Sequence, residues 1–401
     1  MKTGTKKAAF LWDESFLWGI MAYKALKGLG LPFDLIRAED IKRGALDKYG
    51  MLFVPGGWAS NKGKALGEAG RSAIQHFVAN GGNYLGFCGG AGLATKAEGG
   101  IGLLNVKRRP TKERVPSFSG RIELNINEHQ IWLDQGSNIF HAWWPSQFDV
   151  EDKEIKVLAS YGKALPDSFS SDLNVGDTEA NGGWKEHEEI YRINLDPERL
   201  IGEPSIIEGS YGKGKVILSL VHFDTPDDMN GAAVLTNLWT YLGGSQANAE
   251  ARKRGSLEVN SKLTVELERT VNELIIFGKR NFLWFWRNPM LLQWRRGVRG
   301  LEYNTLYIMI KEITKEKSAD NEIKRIMEML IPFIEKAKKL LLLERQAMQK
   351  GHITYERCDD ERIKDKRLEL FSDSKSHGGM FKELIDEVDA VLFSLINREG
   401  R

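Results

Sequence analysis

Asn83-Tyr84-Leu85-Gly86-Phe87-Cys88-Gly89-Gly90-Ala91-Gly92 is the stretch on which the reading of the chain turns. An apolar run enters a cysteine, small residues follow, and a helical pattern continues through Leu93-Ala94-Thr95-Lys96. That order is strand, nucleophile, helix. A sharp turn at such a junction lifts the side chain above the sheet edge, and small neighbours leave room for the strained backbone. The N–H groups opening the helix face the sulfur and favour thiolate, the reactive form. Taken alone, Cys88 reads more simply as a small buried hydrophobe, so its meaning depends on what the chain brings to the same rim.

Working outward, residues 8–12, 33–36 and 51–54 read as short apolar strands, the last ending in Pro55-Gly56-Gly57. Residues 16–29 read as a helix closed by Gly30 with Pro32 beyond it, and 67–80 as a helix stopped by Gly81-Gly82. Strands separated by helices of this length predict a mostly parallel sheet with helices on both faces. From Arg121 the texture becomes alternating, and 121–127, 155–158, 190–193 and 205–208 read as half-exposed strands. Tyr211-Gly212-Lys213-Gly214 reads as a hairpin turn leading into the apolar strand 215–221, and 227–242 as a closing helix.

That last strand delivers His222, with Asp224 two residues on. In extended chain, positions i and i+2 point the same way, so Asp224 is set to hold the imidazole while its other nitrogen faces Cys88. A lone histidine at a strand end is more often structural. Here a carboxylate and an elbow cysteine accompany it, each at a C-terminal strand end, where open α/β sheets bind ligands. Pro55-Gly56-Gly57 alone is a turn signal. Beside Cys88, an N–H near Gly57 and that of Gly89 form a candidate oxyanion hole.

The order Pro55-Gly56-Gly57, Gly86-Phe87-Cys88-Gly89-Gly90-Ala91, His222-Phe223-Asp224 resembles the class I glutamine-amidotransferase-like superfamily, with its oxyanion-loop glycine, elbow cysteine and late His-x-Glu. Within it the chain is most similar to the amidotransferase-like N-terminal domain of biotin–protein ligases and its stand-alone bacterial relatives. The basic stretch 106–110 and Ile139-Phe140-His141-Ala142-Trp143-Trp144 add to that likeness, which spans roughly residues 8–245. The resemblance implies a flavodoxin-like α/β domain over 1–245 with Cys88, His222 and Asp224 as catalytic residues. It also implies an oxyanion hole at Gly57 and Gly89. The candidate pocket is Gly56, Trp58, Gly90, His141, Trp143 and Trp144, although 141–144 reads equally as a packed aromatic loop. The implied activity is that of a cysteine-dependent amidase or acyl-transfer hydrolase acting on a small amide or acyl substrate. The alternative is a catalytically inactive small-molecule-binding or assembly module on the same fold. Two positions depart from the family pattern. Asp224 stands where amidotransferases carry Glu, and Gly90-Ala91-Gly92 stands where glutaminases carry Gly-x-Gln, which speaks against glutamine as the substrate.

The chain has 401 residues, 42 % hydrophobic and 10 % aromatic, enough for two or three domains with buried cores. Its 57 basic and 55 acidic residues nearly cancel, giving +2, so composition offers no argument for nucleic acid or lipid. The two cysteines, Cys88 and Cys358, sit in unlike surroundings and suit a reducing cytoplasm. No segment reads as a signal peptide or a membrane span. No metal-ligand spacing, dinucleotide fingerprint or other cofactor motif is present. Acidic neighbours mark Cys358 as inert.

Residues 246–255 read as a linker and 256–401 as a helical domain, with apolar residues at helical spacing around 263–275, 323–341 and 384–392. That region shows no glycine-rich biotinyl-AMP pattern, and a homo-oligomer formed through it is one expectation. Residues 351–380 read as a charged loop. Phe282-Leu283-Trp284-Phe285-Trp286-Arg287 with Trp294-Arg295-Arg296 reads as an aromatic helix ended by Asn288-Pro289, whose tryptophans seal it to the first domain or a second subunit, with a membrane-surface or partner-docking helix as the second reading. Lys107, Arg108, Arg109, Lys112 and Arg114 read as a solvated basic loop, with attraction of an anionic substrate as the second reading. Glu98 reads as a solvated carboxylate.

Overall fold

The computed structural model describes residues 7–244, 261–316, 318–351, 360–373 and 376–398. The chain divides into two compact units, Met1–Lys253 and Arg254–Arg401. The expected linker at 246–255 and Cys358 lie outside the described residues.

In the first unit the elements run β1 (Ala8–Leu11), α1 (Phe16–Gly28), β2 (Phe33–Ile36), α2 (Ala38–Lys42), β3 (Met51–Val54), α3 (Ala59–Ala79), β4 (Asn83–Phe87) and α4 (Gly89–Leu93). Next come β5 (Lys107–Arg108), β6 (Phe118–Ile126), β7 (Ile139–Trp143), β8 (Phe148–Asp149), β9 (Lys156–Ala164), β10 (Phe169–Ser170) and β11 (Leu173–Asn174). The unit closes with α5 (Val175–Ala180), α6 (Lys185–Tyr191), β12 (Pro204–Tyr211), β13 (Gly214–Ser219) and α7 (Met229–Tyr241).

Strands β2-β1-β3-β4-β13 pair in parallel in that spatial order, the flavodoxin-like arrangement. Strands β12, β9, β6, β10 and β11 continue the sheet in antiparallel pairing, with β7 also on β6. The alternating texture after Arg121 corresponds to this antiparallel wing. Strands β1 and β3 are buried at every position, as unbroken apolar runs must be when both faces of a parallel sheet are covered. Aromatic side chains fill the centre. The Phe53 ring lies 5.2 Å from Phe10, 5.3 Å from Phe87 and 5.8 Å from Trp239.

Register brings the chemistry to one rim. Val54 lies opposite Gly86, and Phe87 opposite Ser219, so β3, β4 and β13 end level with one another. The chain leaves those ends as Pro55-Gly56-Gly57, as Cys88 and as the turn carrying His222. Two expectations are corrected. Residues 190–193 form no strand, because Ile190 and Tyr191 end helix α6. Helix α3 starts at Ala59, well ahead of 67, and bends at Gly67, whose φ is 60°.

The second unit consists of α8 (Lys262–Arg280), β14 (Trp284–Asn288), β15 (Leu291–Trp294), α9 (Gly300–Ile313), α10 (Asp320–Gln349), α11 (Glu361–Phe371) and α12 (Gly379–Arg398). The apolar stripes are buried as helical spacing requires, for example Leu267, Val271, Leu274 and Ile275 on α8. The aromatic segment is a β-hairpin rather than a helix, β14 pairing antiparallel with β15. Asn288 makes its turn, the side-chain oxygen accepting the N–H groups of Met290 and Leu291 at 2.8 and 2.9 Å. Trp284 is used inside this unit, its Nε1 donating to the Ile275 carbonyl at 3.0 Å and its ring centroid lying 5.5 Å from Tyr303. Residues 361–371, expected within a loop, form α11, capped by Asp360, whose carboxylate accepts the Arg362 N–H at 3.0 Å. Among the described residues, no helix is long and apolar enough to cross a membrane.

Candidate functional site

Cys88 sits at the junction of β4 and α4 with φ 48° and ψ −103°, a conformation that side-chain-bearing residues rarely adopt. Two things hold it there. Its N–H donates to the Ser219 carbonyl at 2.7 Å, tying the elbow to the end of β13. The glycines after it are packed without room for a side chain. A Cβ on Gly89 would lie 1.8 Å from the Gly57 carbonyl oxygen, and one on Gly90 would lie 2.0 Å from that of Val54. The loop after β3 is thus seated directly on the elbow, and the Gly90 N–H donates to the Pro55 carbonyl at 3.2 Å. Among the described residues the N–H groups of Gly57 and Gly89 have no hydrogen-bond partner. Helix α4 has only five residues, so its dipole adds little beyond these local N–H groups.

His222 and Asp224 are both fully buried. The His222 Nδ1 and the Asp224 Oδ1 are 2.9 Å apart. Between them Phe223 turns the other way into the core, its ring centroid 5.1 Å from Phe140 and 5.9 Å from Phe87. This alternation is what the i, i+2 spacing predicted, although β13 itself ends at Ser219 and the pair sits in the following turn. The Trp18 ring from α1 covers the imidazole at 5.0 Å, and Trp144 meets Trp18 edge-on at 5.8 Å. On the other side, the Cβ position of Gly56 is 3.1 Å from the His222 Cε1.

The His222 Nε2 is buried and has no hydrogen-bond partner among the described residues. Burial by itself would push the ring's pKa down. The Asp224 carboxylate, and after it the Cys88 side chain, outweigh that and raise it from 6.5 to about 10. Cys88 therefore lies beside the ring, close enough to act on its charge. Catalytic contacts are commonly long before substrate arrives.

A histidine raised in this way stabilises the fold fully below the unfolded value near 6.5, and the contribution fades as pH rises toward about 10. Urea unfolding of wild type and His222→Gln is therefore expected to differ more at pH 6 than at pH 9.5. An equal difference at both would contradict the raised pKa.

The remaining predicted pocket residues have mixed fates. His141 engages Asp228 at 2.7 Å and stacks on Trp143, whose Nε1 donates to the Thr225 Oγ1 at 3.0 Å. The His141 carbonyl accepts the His222 N–H at 2.8 Å, and the Thr225 hydroxyl donates to the His222 carbonyl at 3.0 Å. His141 and Trp143 thus brace the histidine turn. Trp58 opens α3, its carbonyl accepting the N–H groups of Asn61 and Lys62. Glu98 is exposed. Sequence reading missed Trp18, which looks like any apolar residue of α1. It also missed Tyr161 of β9, a buried phenol donating to the Ser146 carbonyl at 2.9 Å. Burial, and after it the nearby Cys88, push that phenol well above its usual range. Among the described residues no group of three or more His, Cys, Asp or Glu side chains is arranged to hold a metal ion.

Residues 42–98 match the family model described as "Biotin-protein ligase, N terminal". Over that stretch the chain resembles the N-terminal region of biotin–protein ligases. The match contains the Pro-Gly-Gly loop and the elbow at Cys88, and stops before His222 and Asp224. No curated protein matches the sequence. Among solved structures, a glutamine amidotransferase is 19 % identical, with 60 % of this chain and 99 % of that one covered at a TM-score of 0.38. PurLQS from Thermotoga maritima is 15 % identical over 60 % of this chain and all of its own, at 0.40. A β-galactosidase from Bacillus circulans sp. alkalophilus is 14 % identical over 61 % of this chain and 32 % of its own, at 0.38. The flavodoxin-like fold rests on the strand order and register above.

Proposed function

We propose that the first unit is a cysteine-dependent amidase or acyl-transfer hydrolase acting on a small amide or acyl compound. The observation that carries this reading is a fully buried His222–Asp224 pair with an unused Nε2, within electrostatic reach of a cysteine on a strained elbow. The reacting form is a Cys88 thiolate beside a protonated His222. The Cys88 sulfur attacks the carbonyl carbon, a C–S bond forms, and the N–H groups of Gly57 and Gly89 receive the oxyanion. The C–N or C–O bond then breaks as the imidazolium gives its proton to the leaving group. Water attacks the thioester, its proton passes to His222, and the acid leaves while the sulfur is restored as thiolate. Asp224 keeps Nδ1 occupied and so orients the ring throughout.

The test is incubation of wild type and Cys88→Ala with p-nitrophenyl esters and small anilides, with both turnover and intact mass followed. The expected result is a transient acyl mass on the Cys88 peptide and turnover lost in the variant. Wild type and variant releasing p-nitrophenol at one rate, with no adduct, would leave a binding module.

A further inference from the structure

The basic run 107–114 does not behave as one solvated loop. Lys107 is exposed, and Arg109 pairs with Glu203 at 2.8 Å. Arg108 is different. It stands on the short strand β5, opposite Phe148 of β8, and its guanidinium lies across α4. A Cβ on Gly92 would be 2.6 Å from both its Cζ and its Nη1, and the Gly92 N–H itself donates to the Cys88 carbonyl at 2.9 Å. Arg114 folds back beside it, its Nε donating to the Arg109 carbonyl. Among the described residues, no carboxylate pairs with Arg108 or Arg114. Burial pulls both guanidinium groups below their usual range, Arg114 further depressed by Arg108, and the charge that works to restore Arg108 is Cys88. One more polar group is left over nearby. The Ser146 hydroxyl, in the segment leading to β8, is buried and without a partner. Partly buried cations with no counter-charge are costly, and guanidinium forks match carboxylates in a bidentate manner.

We infer that Arg108 and Arg114 form an anion-holding wall beside Cys88, so that the substrate is a small amide or acyl compound bearing a carboxylate. The inference rests on the Cys88 reading above and narrows its substrate class. Arg108, laid on the helix that follows the nucleophile, grips the carboxylate and sets the distance to the reacting carbonyl. Arg114 supplies the second positive charge. Arg109, neutralised by Glu203, takes no part.

Paired alkylating agents read this directly, because iodoacetate carries the carboxylate and iodoacetamide does not. Rates at the Cys88 peptide are measured for wild type, Arg108→Gln, Arg114→Gln and the exposed control Lys107→Gln. The expected result is a ratio of iodoacetate to iodoacetamide rates that falls about tenfold in Arg108→Gln, less in Arg114→Gln and not at all in Lys107→Gln. Measured at pH 9, the iodoacetamide rate should stay within about twofold in all four, and Arg108→Lys should restore part of the ratio. An unchanged ratio in Arg108→Gln overturns the proposal. So does an equal fall in Lys107→Gln, which would mean a diffuse field. A fall in the iodoacetamide rate alone also overturns it, because Arg108 would then serve the sulfur or the fold. Slow iodoacetamide alkylation of wild type itself speaks against the activation of Cys88. The ratio, measured at pH 9 where any thiol reacts, still decides the anion wall.

Discussion

Replacing His222 with Gln is expected to slow iodoacetamide alkylation of Cys88 at pH 6.5 by about a hundredfold. An isolated thiol, with its ordinary pKa near 8.5, is only about 1 % thiolate at that pH. A thiol that has given its proton to a neighbouring imidazole escapes that limit. His222 is suited to keep the proton, since the Asp224 carboxylate at 2.9 Å and the Cys88 side chain together hold its pKa at about 10 despite complete burial. Gln fills much of the space under Trp18 and offers hydrogen bonds, but carries no titratable proton. Asp224→Asn should act in the same direction and less strongly, because it removes charge while keeping a partner for Nδ1. Peptide mapping assigns the label, Cys358 being the chain's other thiol. A His222→Gln rate within about threefold of wild type would make the histidine structural.

The second large effect belongs to Gly89. Alanine there brings a Cβ to 1.8 Å from the Gly57 carbonyl oxygen, a backbone atom fixed between β3 and α3. Relief requires the loop after β3 or the elbow itself to move, and either movement separates the paired N–H groups from Cys88. A cost of about 3 kcal/mol or more is expected in urea unfolding, with the Cys88 alkylation rate falling as well. Gly28→Ala is the matched control. Nothing lies within 4 Å of its Cβ position, and Gly28 is the last residue of α1, so the change should be neutral or stabilise by up to about 1 kcal/mol. Equal urea midpoints for Gly89→Ala and wild type would contradict the close seating of the two loops.

The parallel half of the fold was legible because its strands are short, largely apolar runs cut by glycine and proline. Residues 33–36 and 51–54 emerge as β2 and β3 with the expected ends. The candidate site was legible for a local reason too. The i, i+2 spacing survives outside the strand because Phe223 is pinned in the core, so the residues on either side of it must face the other way. What stayed hidden depends on distant contacts. Trp18 meets His222 only after α1 folds back over the rim, and nothing in 16–28 marks it out from its apolar neighbours. Arg108 and Arg109 are adjacent and alike in sequence, yet Glu203, far along the chain, pairs with the second and leaves the first. The hairpin at 284–294 was misread because its strands are short and flanked by long helices, so the helical texture on both sides outweighed a weak alternation.

The relation between Cys88 and His222 is tested most directly by the pH dependence of Cys88 alkylation in the wild-type protein from pH 5 to pH 9. Reactivity at pH 6 is predicted to stay within about threefold of that at pH 8.5, because a charged imidazole beside a thiol favours its anion, and His222→Gln should lose that acid-side reactivity. A rate that instead climbs about tenfold for each pH unit below 8 and overlays that of free cysteine would contradict the account.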